Sequence, residues 1–363
     1  MASLRSLLLV LLSIGVTTPV AAWSNDSEQP GSVLVFPKFI RGTFADTVTG
    51  QALHARTEVE ISVRCPEGAT CDVNQAVRLR GHWVCPGSST NPACAESSFD
   101  LTTTVNGSLY FNTEGVVVVA GVVTANAFPN NATTTIPVPP CLRGYLIVWA
   151  IDGNDTAIKF DGLIGDAVIR DGTPNESISA RSYNAIPIQA GDGVLSTGDP
   201  TDLNGDTNLD FDGNEYQMVT GRIFGTVRYE SSTAVGAVQT DLTLLTLDVA
   251  SNRPNSLTSV GLNFYTTGED LVDSATSFYC WTERRLTEIN PSLISQTMGR
   301  KGLVESTYAQ QVDSFGNTVP VTLIGIVETK EGVLNNAGVF VQIRDYSYSL
   351  FHDNNPLMTT FQP

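Results

Sequence analysis

RTEVEISVRC, residues 56–65, places Val59, Ile61, Val63 and Cys65 on one face and Glu58, Glu60 and Arg64 on the other. A period of two belongs to a half-buried β-strand and to no helix. AVRLRGHWVC, residues 76–85, repeats the pattern, with Val77, Leu79, Trp83 and Cys85 opposite Arg78, Arg80 and His82. The intervening PEGATCDVN reads as a turn, so the two strands are expected to form a hairpin, with Cys65 beside the turn and Cys85 at its far end. Those two cysteines then cannot bond. The simplest pairing is Cys65 with Cys71 and Cys85 with Cys94, which leaves Cys141 for Cys280 and a long covalent loop worth about 4–5 kcal/mol. Six cysteines allow 15 pairings, and a zinc site from His82, Cys71, Cys85 and Cys94 is disfavoured because its spacing matches no standard finger or ribbon.

Beyond this pair of strands the pattern persists. GVVVVAGVVT (115–124) and YLIVWAI (145–151) are short, apolar and rich in β-branched residues, as strands buried on both faces should be. In TDLTLLTLDV the apolar parity changes between Leu244 and Leu245, which predicts a bulge or bend. Leu286, Ile289, Leu293, Ile294 and Met298 follow helical spacing, and Asn290-Pro291 fits an N-cap and first helical residue, so two short helices are expected there. The fold class is therefore all-β: two tandem antiparallel β-sandwich domains, immunoglobulin-like in architecture, over residues 31–189 and 215–363. An acidic, Gly-, Asp- and Asn-rich junction at 190–214 separates them. One large jelly-roll-like unit is the structural alternative.

Composition bounds the partners. The 363 residues carry a net charge of −17, largely because lysine is confined to Lys38, Lys159, Lys301 and Lys330. Such a surface repels nucleic acid and anionic membranes. Residues 1–22 have the basic, apolar and small-residue regions of a secretory signal peptide cleaved near Ala22, followed by an arm at 23–30. No later run of eighteen apolar residues suggests a transmembrane segment. The expected location is extracellular or at the cell surface, where disulfides persist.

One stretch points to a ligand. Asp202, Asn204, Asp206, Asn208, Asp210 and Asp212 recur at every second position, followed by Asn214 and Glu215. Hard oxygen donors at this spacing suit calcium if the chain curls around the ion. DLNGDTNLDFDG, from Asp202, resembles the calcium loops of dockerins and EF-hands, which implies a structural Ca2+ bound by Asp202, Asn204, Asp206, Asn208 and Asp210. Thr207 replaces the turn glycine and Gly213 the bidentate acid, so Asp212 or Glu215 would have to complete the set. A solvated acidic turn is the competing reading.

No catalytic motif accompanies it. His54, His82 and His352 stand in no nucleophile or metalloprotease pattern, so no enzyme is expected, although a glycosidase carboxylate pair leaves no short motif. Tyr346 and Tyr348 share a strand face with Arg344 and could form a glycan platform, whereas Trp83, Trp149 and Trp281 read as core. GSVLVFPKF, YLIVWAID with FDGLIGDAVIR, SYNAIPIQA and VTGRIFGTVRYE resemble segments of uncharacterised secreted bacterial β-sandwich proteins, which implies export from a bacterium and no activity. The expected role is structural or adhesive, with an extracellular protein or glycan as partner. The alternatives are a carbohydrate-binding module, or self-association into a fibre in which the arm and GSVLVF complete a neighbour's sheet.

Overall fold

A computed structural model describes residues 29–45, 52–72, 75–114, 122–128, 132–173, 176–191, 208–233, 236–248, 257–266, 270–295, 300–312, 315–334, 340–352, 356–357 and 359–361. β1 (Val33–Ala45) belongs to both sheets of the first half. Its register against β8 (Arg143–Ile151) breaks between Phe36 and Phe39, around Pro37, which has no N–H to donate to a ladder. Before the break Val33–Val35 lies between β8 and β11 (Ile186–Ile188); after it, Arg41–Ala45 pairs with β2 (Ala52–Val63). GSVLVF thus pairs along both edges within its own chain and offers no free edge to a neighbouring subunit. Residues 23–28 of the arm lie outside the described residues.

One sheet runs β4 (Glu96–Thr104), β3 (Ala76–Val84), β8, β1. In the other, β2 pairs along one edge with β9 (Leu163–Thr173), and β9 with β10 (Glu176–Asn184). Along its other edge β2 meets β1 and then β5 (Ser108–Asn112), which is followed by β6 (Val122–Phe128) and β7 (Ala132–Pro137). Phe36, Val59, Ile61, Trp83, Phe99, Phe111 and Leu146 fill the core between the sheets. Val59, Ile61 and Val63 are buried as the alternation required. The expected hairpin does not form: β2 and β3 lie in different sheets, and the connection that holds the Cys65–Cys71 bridge crosses from one sheet to the other.

In the second half, Gly236–Leu245 pairs with Ile324–Leu334 on one edge and with Ser231–Thr233 and Trp281–Arg285 on the other. The facing sheet runs Leu271–Phe278, Thr258–Thr266, Lys301–Val312, Ile223–Arg228, Phe351–His352. Gly236–Leu245 keeps an unbroken register with its partner strands, so the parity change is no bulge. Leu242 and Leu244 face the second half's own core, while Leu245 and Leu247 face another core on the opposite side. The apolar pattern doubles because the strand gains a second burying neighbour. Of the two expected helices, only Leu286–Ile289 appears among the described residues. Asn290 ends that helix, and its side-chain oxygen accepts the Ser292 N–H at 2.9 Å, so Asn290-Pro291 starts a turn.

The backbone ladders respect the division near residue 190, since every named strand pairs within its own half. Side chains do not respect it. Val35, Tyr145, Ile147 and Trp149 on the outer face of the first sheet pack against Phe211, Tyr216, Leu245, Trp281, Ile324 and Phe361. YLIVWAI is uninterrupted because β8 has the sandwich core on one face and this shared core on the other. At about 25 cal/mol per Å2 of apolar area removed from water, a cluster of this kind is a substantial part of the folding free energy.

Candidate functional site

Lys38 follows Pro37 at the register break of β1 and is 1% exposed. Its ammonium donates to Glu283 and Glu328 of the second half. Arg181 on β10 donates to Glu328 and to Asp171 of β9. Lys330 reaches Asp171 at 3.1 Å, and Arg143 pairs with Glu283. Asp241 lies beside them, its carboxylate accepting the Gln239 amide at 2.8 and 3.0 Å. Four cations thus face four anions across the line between the halves, next to a cavity of about 210 Å3.

Burial lowers the Lys38 pKa to about 8, with Glu283 opposing the shift. Burial alone would raise Glu283, but Lys38 and Arg143 together outweigh it and bring the carboxyl down to about 2. Asp241 is raised, first by burial and then by the Glu283 charge. The backbone around Lys38 is also held: Trp281 Nε1 donates to Pro37 O at 2.8 Å, and the Tyr183 hydroxyl to Lys38 O. None of these residues was marked by a motif. The signal available was a lysine inside VLVFPKFI and a glutamate inside TLIGIVET, charges within runs otherwise buried on both faces.

The disulfides fasten the same region, in a pairing that differs from the expected one. Cys65–Cys71 is present, but Cys85 pairs with Cys141 and Cys94 with Cys280. Val84 stands opposite Tyr145 in the β3–β8 ladder, which brings Cys85 beside the segment entering β8. The loop containing Cys94 packs on the Phe278–Trp281 turn, where Gly87 N donates to Tyr279 O at 3.2 Å and a side chain at Gly87 would strike Tyr279 Cβ at 2.7 Å. The bridge between the halves therefore comes from Cys94. Among the described residues no cysteine is free.

Of the expected calcium ligands, Asp202, Asn204 and Asp206 fall outside the described residues. Asp210 lies in the strand Leu209–Phe211, paired with Thr359–Phe361. Asp212 closes the turn that follows: its carboxylate accepts Asn214 N at 2.7 Å, Asn214 Nδ2 at 2.9 Å and Glu215 N at 3.2 Å. Burial opposes the charge, but these hydrogen bonds together hold Asp212 below its ordinary pKa. Glu215 is buried and accepts the Asp210 N–H at 3.2 Å. Among the described residues no group of three or more His, Cys, Asp or Glu is gathered to hold a metal. Asp212→Ala should therefore lose about 1 kcal/mol of stability in EDTA, measured by urea unfolding. A loss seen only with calcium present would make Asp212 a ligand and not a turn residue.

Asn208 lines a larger cleft, of about 600 Å3. Arg80 and His82 of β3, Asp100 of β4 and Trp149 of β8 contribute from the first half, and the turn Asn154–Ala157 forms one wall. Asp152 organises that turn by accepting the N–H groups of Asn154 and Thr156 at 2.8 and 2.9 Å, with Asp155 in the left-handed region at φ 68°. Arg80 forks onto Asp100 at 3.0 and 3.4 Å, and Arg78 donates to Asp155 at 2.6 Å. The Asp100 hydrogen bond raises Arg80 above its ordinary pKa despite burial, and the Arg78 hydrogen bond holds Asp155 below its own.

Tyr346 and Tyr348 have backbone positions opposite Thr329 and Val327, both buried, and their side chains lie outside the described residues. His54 contacts Glu114 on one side and Thr43 Oγ1 at 3.3 Å on the other. Glu114 also accepts the Gly42 N–H at 2.9 Å, so this trio staples the end of β1.

No family model matches the chain, and no curated protein matches it. Among solved structures it is similar to one described as "Biofilm associated protein - BSP domain", at 10% identity and a TM-score of 0.17 over 91% of this chain and 61% of that one. It is also similar to a "Viral chemokine binding protein R17 encoded by rodent gammaherpesvirus Peru", at 8% identity and a TM-score of 0.15 over 88% of each chain. The chain spans about 61% of the length of the biofilm-associated structure. Neither likeness carries an argument about function; the chain is an all-β, antiparallel protein with three disulfides.

Proposed function

We propose that the protein is an extracellular, non-enzymatic structural or adhesive β-sandwich protein whose two halves bear load as one unit. The observation that carries this reading is the covalent and ionic tie between the halves: Cys94–Cys280 beside the buried Lys38, Glu283 and Glu328 group. Disulfides and the apolar leader at residues 7–16 support an oxidising, exported setting. The acidic surface favours cationic or neutral partners over nucleic acid and anionic lipid. Calcium bound between Asp202 and Glu215 belongs to the same reading as a stiffener of the junction. Calorimetric titration of the chelator-treated chain should show one site, absent from Asp206→Ala with Asp210→Ala; no heat in either protein removes the ion from the account.

The role itself is tested by displaying the chain on a non-adherent cell and counting attachment to host and bacterial surfaces, beside a panel of glycoside, ester and peptide substrates. Attachment without turnover is expected. Hydrolysis of any panel substrate by the purified chain would overturn the reading.

A further inference from the structure

We infer that the cleft between Arg80, Asp100, Asn154, Asp155 and Asn208 is a binding site for a neutral saccharide, with His82 at its floor as a hydrogen-bonding group. The inference deepens the adhesive reading and rests on it. His82 is 5% exposed, and among the described residues neither ring nitrogen has a hydrogen-bond partner; Glu96 stands 3.5 Å from Nδ1. The ring is stacked on Trp149 at 4.9 Å and met edge-on by Phe361 at 5.9 Å. A buried polar group left without a partner is costly, and a ligand hydroxyl placed against it recovers that cost.

The walls select the ligand by elimination. Arg78 and Arg80 stand against Asp100 and Asp155, with Arg80 also 3.5 Å from Asp155, so the charges are balanced and mutually committed. A simple cation meets Arg80 in the lining, with Arg78 paired to the same carboxylates behind it, and an anion meets Asp100 and Asp155. An apolar ligand would bury these charged groups without compensation. What fits is an uncharged molecule with hydroxyls that both donate and accept, which the guanidinium, carboxylate and amide groups of the rim can satisfy together. The volume of about 600 Å3 lies among small-molecule pockets, about 300–1,000 Å3. The Asp152 turn sets the wall in advance, which reduces the ordering cost of binding.

The test is a glycan array of neutral, acidic and amino saccharides probed with the full chain, followed by saturation-transfer NMR on the hits. A neutral saccharide should bind saturably. Asn154→Ala, in an exposed turn, and His82→Phe, which keeps the ring against Trp149, should each weaken it at least tenfold. Tyr308→Ala, on the exposed face of the second half, should leave it unchanged. A blank array, preference for acidic saccharides, or binding lost only in Tyr308→Ala overturns the inference while leaving adhesion intact. Cleavage of the bound saccharide would instead overturn the adhesive reading.

Discussion

Replacing both Cys94 and Cys280 with alanine lowers the stability of the chain by about 5 kcal/mol, the largest loss expected of any disulfide in the molecule. The bridge spans 186 residues, against 56 for Cys85–Cys141 and 6 for Cys65–Cys71. Loop-closure entropy grows with the logarithm of that length, giving about 5, 4 and 2 kcal/mol in that order. Urea unfolding of the three double-alanine variants checks the ranking. If the Cys94 and Cys280 variant were as stable as that of Cys65 and Cys71, this bridge would not be constraining the unfolded chain as the topology requires.

Lys38→Met should cost about 3–5 kcal/mol, because it leaves Glu283 and Glu328 buried with one cation fewer. The intact group is a poor net stabiliser, and its pKa values say why. Glu283 is held at about 2 against 4.5, which contributes roughly 3 kcal/mol above pH 4.5 and is lost as pH falls from 4.5 through 2. Lys38 is lowered from 10.5 to about 8, so at neutral pH its burial costs roughly the same amount. Between pH 8 and 10.5 the unfolded chain binds the extra proton, and stability rises with pH there. The two contributions oppose each other at pH 7, as expected of desolvated ions. Adding Glu283→Leu to Lys38→Met should return part of the loss, and strict additivity in urea unfolding would show that the two do not act together. Glu283→Gln should flatten the acid limb between pH 4.5 and 2.

How far the sequence reaches can be judged from individual segments. Val59, Ile61 and Val63 were legible because one face of β2 meets water and the other the core. YLIVWAI was legible as a doubly buried strand, though not what covers its second face, because periodicity reports burial and not the identity of the neighbour. The same limit produced the mistaken hairpin: alternation in two consecutive strands does not say whether they pair or lie in facing sheets. Disulfide pairing followed that error, since Cys85 meets Cys141 through the β3–β8 ladder and Cys94 meets Cys280 through a loop packed on a distant turn. Lys38, Glu283 and Glu328 come from three separated strands, so no spacing could reveal them; only the apolar runs around Lys38 and Glu328 hinted at partners, and Glu283 in WTERR carried no such sign. Of the cleft, Arg80 and His82 were visible on the polar face of β3, but Asp100, Asn154 and Asn208 reach it only in the folded chain.

Differential scanning calorimetry of the intact, oxidised chain addresses whether the halves form one unit. With the shared core of Trp149, Trp281, Ile324 and Phe361 and the Cys94–Cys280 bridge in place, a single transition with equal calorimetric and van't Hoff enthalpies is expected. Two separable transitions, one half melting while the other stays folded, would contradict it.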